Sequence, residues 1–258
     1  MAFNELAFIL TPLLFAISFV YSSVGFAGGS SYIAVLVLAG ISLYTVPSIS
    51  LFLNILAAGM AFINFARARH FSVEFSFPLL SSLPFVFFTG LIVLPEKNLA
   101  LIFVIALFAA SAALFISTIK IKTQQHYKIK KLNHCKLKIM IIGIPVGAVL
   151  GVVAGLVGIG GGIWLSPLLI LTGLADPKRA AATAAFFILT NSIIGFLAHS
   201  ISRPIDVSLL IPLGSTVLIG GFTGSMFGAF KFNHNKMQII IGSLVAIAGV
   251  SLTFKLLV

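Results

Sequence analysis

One cysteine and five acidic residues in 258 positions are the first constraints this sequence sets. A lone Cys135 excludes an internal disulfide, and with only His134 beside it there is no ligand spacing for a structural metal. The acids Glu5, Glu74, Glu96, Asp176 and Asp206 all fall at the ends of apolar blocks. A proton or sodium relay keeps a carboxylate at depth, so this chain points instead to an anionic or neutral ligand held by backbone and hydroxyl donors. Basic residues are likewise missing from the block interiors. No Lys or Arg precedes the first apolar run, MAFNELAFILTPLLF, so the basic leader of a cleaved signal is missing and the run reads as a membrane segment.

What fills the sequence is apolar. Hydrophobic residues make up 60% and charged residues 8%, with a mean hydropathy of +1.19, more apolar surface than a water-soluble globule can hide. The blocks run at 6–22, 26–43, 47–66, 75–94 and 98–119, then at 139–157, 159–174, 180–199, 207–229 and 237–257. Most have the length a bilayer core demands of a helix, and none shows the short alternation of a membrane β-barrel. The expected fold is an all-α polytopic membrane protein of the cell membrane (plasma or inner), with eight to ten segments.

The net charge of +11 does not indicate nucleic acid, because of where the charge lies. Seven lysines sit in IKIKTQQHYKIKKLNHCKLK, a basic cytoplasmic linker at 120–138 between one transmembrane repeat at 1–119 and another at 139–258. The lipid bilayer is the evident partner, and nothing in the sequence opposes a homo-oligomer.

The halves repeat. A shift of 133 superposes GFAGGSSYIAVLVLAG on GIGGGIWLSPLLILTG, and a shift of 134 pairs Pro78 with Pro212 and Gly90 with Gly224. With every block crossing once and the basic linker inside, thirteen of the sixteen basic residues are cytoplasmic; Lys97, Arg203 and Lys255 are outside. An even number of crossings per half moves Lys178, Arg179, Lys231 and Lys236 outside, so the charges favour two inverted repeats of five segments. The first two segments of each half are either short spans or a re-entrant hairpin.

Five glycines in the eight positions Gly155 to Gly162 cannot form a stable continuous helix, since each costs about 1 kcal/mol relative to alanine. They mark a break and a new helix start, and a helix start offers N–H groups and partial positive charge to an anion. The candidate binding residues are Gly25, Gly28, Gly29 and Ser30 in the first copy and Gly158, Gly160, Gly161 and Gly162 in the second. Ser50, Asn54, Thr183 and Asn191 on the following segments join them. Under the 133 shift Ser50 pairs with Thr183, while Asn54 and Asn191 sit about one turn out of register. His199 is expected at the outer interface. No βαβ unit surrounds the glycines and no Gly-Lys-Ser/Thr follows, so a nucleotide fingerprint is excluded. The alternative is a non-transporting membrane subunit or scaffold whose glycines serve close helix packing.

The run GLVGIGGGIWLSPLLILTG, with Gly155, Gly158, Gly160, Gly161, Gly162 and Pro167, resembles the sulfite exporter TauE/SafE family, as do AAATAAFFILTNSIIGFLAH and the weaker copy GFAGGSSYIAVLVLAG. The resemblance covers essentially the whole chain. It implies a secondary transporter, commonly an exporter, of sulfite, organosulfonates or related small anions, with no cofactor and no catalysis. The first copy departs from the family pattern: its glycine run is shorter, and Ala34 stands opposite Pro167.

Overall fold

The computed structural model describes residues 3–123, 136–203 and 207–231, with positions 239, 243 and 250; most of the basic linker, Cys135 and the tenth apolar block lie outside the described residues. Among the described residues the chain is helical, with no strand. The helices are α1 (Phe3–Ser22), α2 (Gly29–Leu38), α3 (Val46–Arg67), α4 (Val73–Ser76), α5 (Ser82–Gly90), α6 (Glu96–Thr123), α7 (Lys136–Val157), α8 (Gly162–Leu171), α9 (Pro177–Ser202) and α10 (Val207–Phe230), and a 3₁₀ turn at Pro78–Ser81 joins α4 to α5. Six spans are long and apolar enough to cross a membrane: Val46–Arg67, Val73–Gly90, Glu96–Ile116, Met140–Val157, Pro177–Ser202 and Leu210–Phe230. The chain is a multi-pass membrane protein.

Of the two segments expected to be short in each half, one is. α1 has 20 residues and α7 has 22, whereas α2 and α8 have ten each. Ten residues at about 1.5 Å rise span roughly 15 Å, half a hydrocarbon core.

The duplication is visible in the backbone. Gly25 and Gly158, Gly28 and Gly161, and Gly40 and Gly173 all have positive φ, each pair 133 residues apart. Gly40 and Gly173 close α2 and α8 in the same way: Ile41 N–H bonds the Leu36 carbonyl and Leu174 N–H the Leu169 carbonyl, a Schellman end that needs a left-handed residue. α4 begins at Val73 and α10 at Val207, 134 apart.

Other glycines have a different duty. Gly147, Gly151 and Gly155 recur every four residues on α7 and lie against the backbone of the Leu79–Val86 stretch; Gly220, Gly224 and Gly228 do the same on α10 against Phe15, Phe19 and Ser23 of α1. Lipid tails are as apolar as leucine, so helices in a membrane gain from close approach, and glycine permits it. Each contact joins a helix of one half to a helix of the other. α3 and α9 form the centre, packed on each other, with α10 beside α3 and α5 beside α9. Large apolar side chains such as Leu101, Ile105, Ile141, Val149 and Ile211 face outward.

The C-terminal end of α3, the N-terminal end of α9 and the C-terminal end of α10 meet at one end of the bundle. The Lys178 ammonium donates to the Ala229 carbonyl at 2.9 Å, and His70 bonds the same residue. Burial, and then the Lys178 charge, hold the His70 imidazole below its usual range.

Substitution separates the two kinds of glycine. Gly40→Ala meets open space and costs only the left-handed strain, about 1–2 kcal/mol. Gly224→Ala drives a Cβ into the Phe19 carbonyl and forces α1 and α10 apart, so its thermal midpoint in detergent falls further than that of Gly40→Ala.

Candidate functional site

Both helix starts are built alike. α1 is closed by a turn through Gly25, where Phe26 N–H reaches back to the Tyr21 carbonyl, and α7 is followed at once by Gly158, whose N–H bonds the Ala154 carbonyl. The chain then turns through left-handed Gly28 or Gly161 directly into α2 or α8, and neither cap carries a side-chain hydrogen bond. α9 contrasts with both: Asp176 caps it, its carboxylate accepting from the Lys178 and Arg179 N–H groups at 3.1 and 3.0 Å. The two short helices thus present starts that no side chain has taken.

Asn54 of α3 joins the two starts. Its amide Nδ2 donates to the Ile159 carbonyl, inside the second break, at 3.1 Å. The same side chain lies against Gly29, where any Cβ would overlap it, and 3.4 Å from the position a Cβ on Gly160 would take. Ser50, one turn earlier, donates to the Gly29 carbonyl at 3.2 Å. The Ser192 hydroxyl lies 2.9 Å from that same Cβ position on Gly160. Between the starts is a cavity of about 10 Å³, lined by Tyr21, Phe26, Ala27, Gly28, Gly29 and Ser30 from the first copy and by Ile159, Ile163 and Ile188 from the second. That volume suits roughly one water molecule.

Three hydroxyl or amide groups around this junction, Ser30 Oγ, Asn54 Oδ1 and Ser192 Oγ, are fully buried and have no hydrogen-bond partner among the described residues. Leaving such a group unpaired costs about 1–3 kcal/mol. Tyr21 and Tyr32 brace the first break, Tyr21 hydrogen-bonding Ser31 at 2.7 Å and Tyr32 donating to the Ala27 carbonyl at 2.6 Å.

The remaining candidates are placed differently. Gly25 presses on the Ala181 backbone and Gly158 on Pro47, so each break seats against the start of the other half's long helix. Gly161 rests on Phe187 and Ala154, away from the cavity, and Gly162 on Ile188. Thr183 is buried. Asn191 turns toward α5, where Ser82 donates to its Oδ1 at 2.6 Å.

These contacts correct the register read from sequence. Gly29 meets Asn54 as Gly162 meets Ile188, and Gly158 meets Pro47 as Gly25 meets Ala181. The offset between α3 and α9 is therefore 134: Ser50 corresponds to Ala184, and Asn54 to Ile188. Ser192, Ile159, Ile163 and Ile188 were not among the candidates, because an isoleucine carries no chemical signal until its neighbours are known.

His199, in the last turn of α9, is fully buried within the protein. One ring nitrogen, Nε2, lies 2.8 Å from the Gly155 carbonyl, and Arg203 Nη1 lies 2.9 Å from the other, Nδ1. A guanidinium has no lone pair to offer, so Nδ1 accepts from Arg203 and the Nε2–H donates to Gly155. Arg203, 5% exposed, also donates to the Ile92 carbonyl at 3.1 Å. The cluster ties the ends of α5, α7 and α9 together and holds a cation inside the protein at a helix end.

The site defines a multi-pass helical protein with two half-length helices meeting at its centre. Residues 10–252 match the family described as sulfite exporter TauE/SafE, and the chain belongs to that family. A probable membrane transporter protein, y4hK, of Sinorhizobium fredii is 27% identical over 249 residues, 94% of this chain and 96% of its own length. The probable membrane transporter protein YunE of Bacillus subtilis is 30% identical over 114 residues, 44% of this chain and 41% of its own. A probable membrane transporter protein of Xylella fastidiosa is 27% identical over 111 residues, 43% of this chain and 42% of its own. No solved structure matches.

His199→Phe leaves the Gly155 carbonyl and the Arg203 guanidinium each short of a partner. It lowers stability by about 2–5 kcal/mol, read as a fall in the thermal unfolding midpoint in detergent.

Proposed function

We propose that this protein carries small sulfur-containing anions, such as sulfite or organosulfonates, across the cell membrane by alternating access, with export the expected direction. The binding site is the junction of the α2 and α8 starts at Asn54. The observation that carries the reading is that two uncapped helix starts flank one cavity lined by the unpartnered, buried Ser30, while two more unpartnered buried groups, Asn54 Oδ1 and Ser192 Oγ, belong to side chains that lie against the adjoining break at Gly160. Helix starts attract anions through free N–H groups and partial positive charge, and in a low-dielectric interior that attraction is strong. The names of the relatives support transport, and the family's description supports the substrate class.

Two inverted repeats account for the geometry. α1 and α7 enter from opposite faces, the chain turns back at the glycines, and α2 and α8 return half way. The gathering of His70, Lys178 and Ala229 at one end of the bundle agrees with the odd number of crossings that the charges favour. The contacts between halves along the glycine stripes of α7 and α10 are the surfaces on which one half moves against the other. A cavity of about 10 Å³ admits no sulfonate, so entry requires the two starts to part.

Purified protein in liposomes loaded with sulfite or ethanesulfonate releases it. Gly29→Val, which pushes a side chain into Asn54, reduces that flux to the protein-free background while a single gel-filtration peak is kept. Undiminished flux in Gly29→Val contradicts the site, and no flux of any small oxyanion contradicts the substrate.

A further inference from the structure

The two halves of the site are chemically unlike. Under the offsets fixed by packing, 133 for the breaks and short helices and 134 for α3 and α9, Tyr21 corresponds to Ala154, Ser30 to Ile163, Ser50 to Ala184 and Asn54 to Ile188. Each polar position of the first half is apolar in the second. The α2 start reads Gly-Ser-Ser and is flanked by an amide; the α8 start reads Gly-Ile-Trp, with Ile188 laid on Gly162 and Phe187 on Gly161. Ser192 is the hydroxyl that the second half brings, and it faces Gly160, on the Asn54 side of the junction. The first half's wall of the cavity holds its side-chain hydroxyls, Tyr21 and Ser30, together with Phe26, Ala27 and the Gly28–Gly29 backbone, and Asn54 lies against Gly29; the second half's wall is Ile159, Ile163 and Ile188.

We infer that the site is one-sided. It takes an anion with a single charged group, held by the α2 start, Ser30 and Asn54, whose other end is uncharged and lies against the three isoleucines. Asn54 and Ile188 are the specificity-determining pair. A second charge at the far end of the ligand meets hydrocarbon with no hydrogen-bond donor and is rejected, because an unpaired charge in an apolar setting is among the costliest arrangements in a protein. The inference rests on the transport reading above and adds to it which anions are carried and which half of the duplicated site does the binding.

The test compares ethanesulfonate, one charge and an apolar end, with ethane-1,2-disulfonate, the same chain with a charge at each end. Full-length protein in detergent is titrated with each by thermal shift, and each competes for sulfite flux in liposomes. Ethanesulfonate binds at least about tenfold more tightly than the disulfonate. Ile188→Asn, or the smaller Ile188→Ser if the first does not fold, gives the second wall a polar group and narrows the ratio to within about threefold. Asn54→Leu abolishes protection by both. Equal affinity for the two probes in the unaltered protein, binding of sulfite without ethanesulfonate, or an unchanged ratio in both Ile188 variants overturns one-sidedness and leaves transport standing. Absence of both binding and flux for all three anions overturns the transport reading itself.

Discussion

The bond from the Asn54 amide to the Ile159 carbonyl is the interaction on which the rest of the arrangement depends. A helix that breaks inside hydrocarbon exposes backbone groups that lipid cannot satisfy, and the break survives only where protein receives it. Here a side chain of the first half receives the break of the second, and the same side chain lies on the first residue of α2. Both helix starts are thereby fixed to one point. Gly29 and Gly160 follow from this, because a Cβ at either collides with or crowds the residues around Asn54.

Glycine therefore has two roles in this chain, and they are separable. Positive-φ glycines turn the backbone at the breaks and at the ends of the short helices, in pairs set by the duplication. Helical glycines at every fourth position of α7 and α10 bring helices of opposite halves together. The first role shapes the breaks, the second the contact between halves, and the proposed transport cycle uses both. Close packing accounts for the helical set, and the proposed ligand-binding role concerns only the set at the breaks.

Much of this was legible in the sequence. Nine of the ten apolar blocks reappear as helical segments, six of them long and apolar enough to cross a membrane, and most of the tenth lies outside the described residues. The breaks were marked by glycine clusters, since no other residue tolerates that backbone so readily. The register between α3 and α9 was not legible: the stretch from Gly173 to Ala181 is one residue longer than that from Gly40 to Pro47, and a single residue turns a helix face by about 100°. That slip hid the pairing of Asn54 with Ile188 and made Thr183 look like the counterpart of Ser50. The burial of His199 inside the protein was also hidden, because its partners, Gly155 and Arg203, include a backbone carbonyl 44 residues away in the chain.

The central claim is that one cavity between two helix starts opens and closes during transport. Ser30 and Ile163 face that cavity from opposite halves, so a cysteine at each position, in a Cys135→Ser background, measures it directly. Sulfite flux through liposomes is recorded before oxidation, after oxidation and after reduction. The account predicts that the Ser30→Cys, Ile163→Cys disulfide forms, stops flux, and releases it again when reduced. Full flux with the disulfide intact contradicts it.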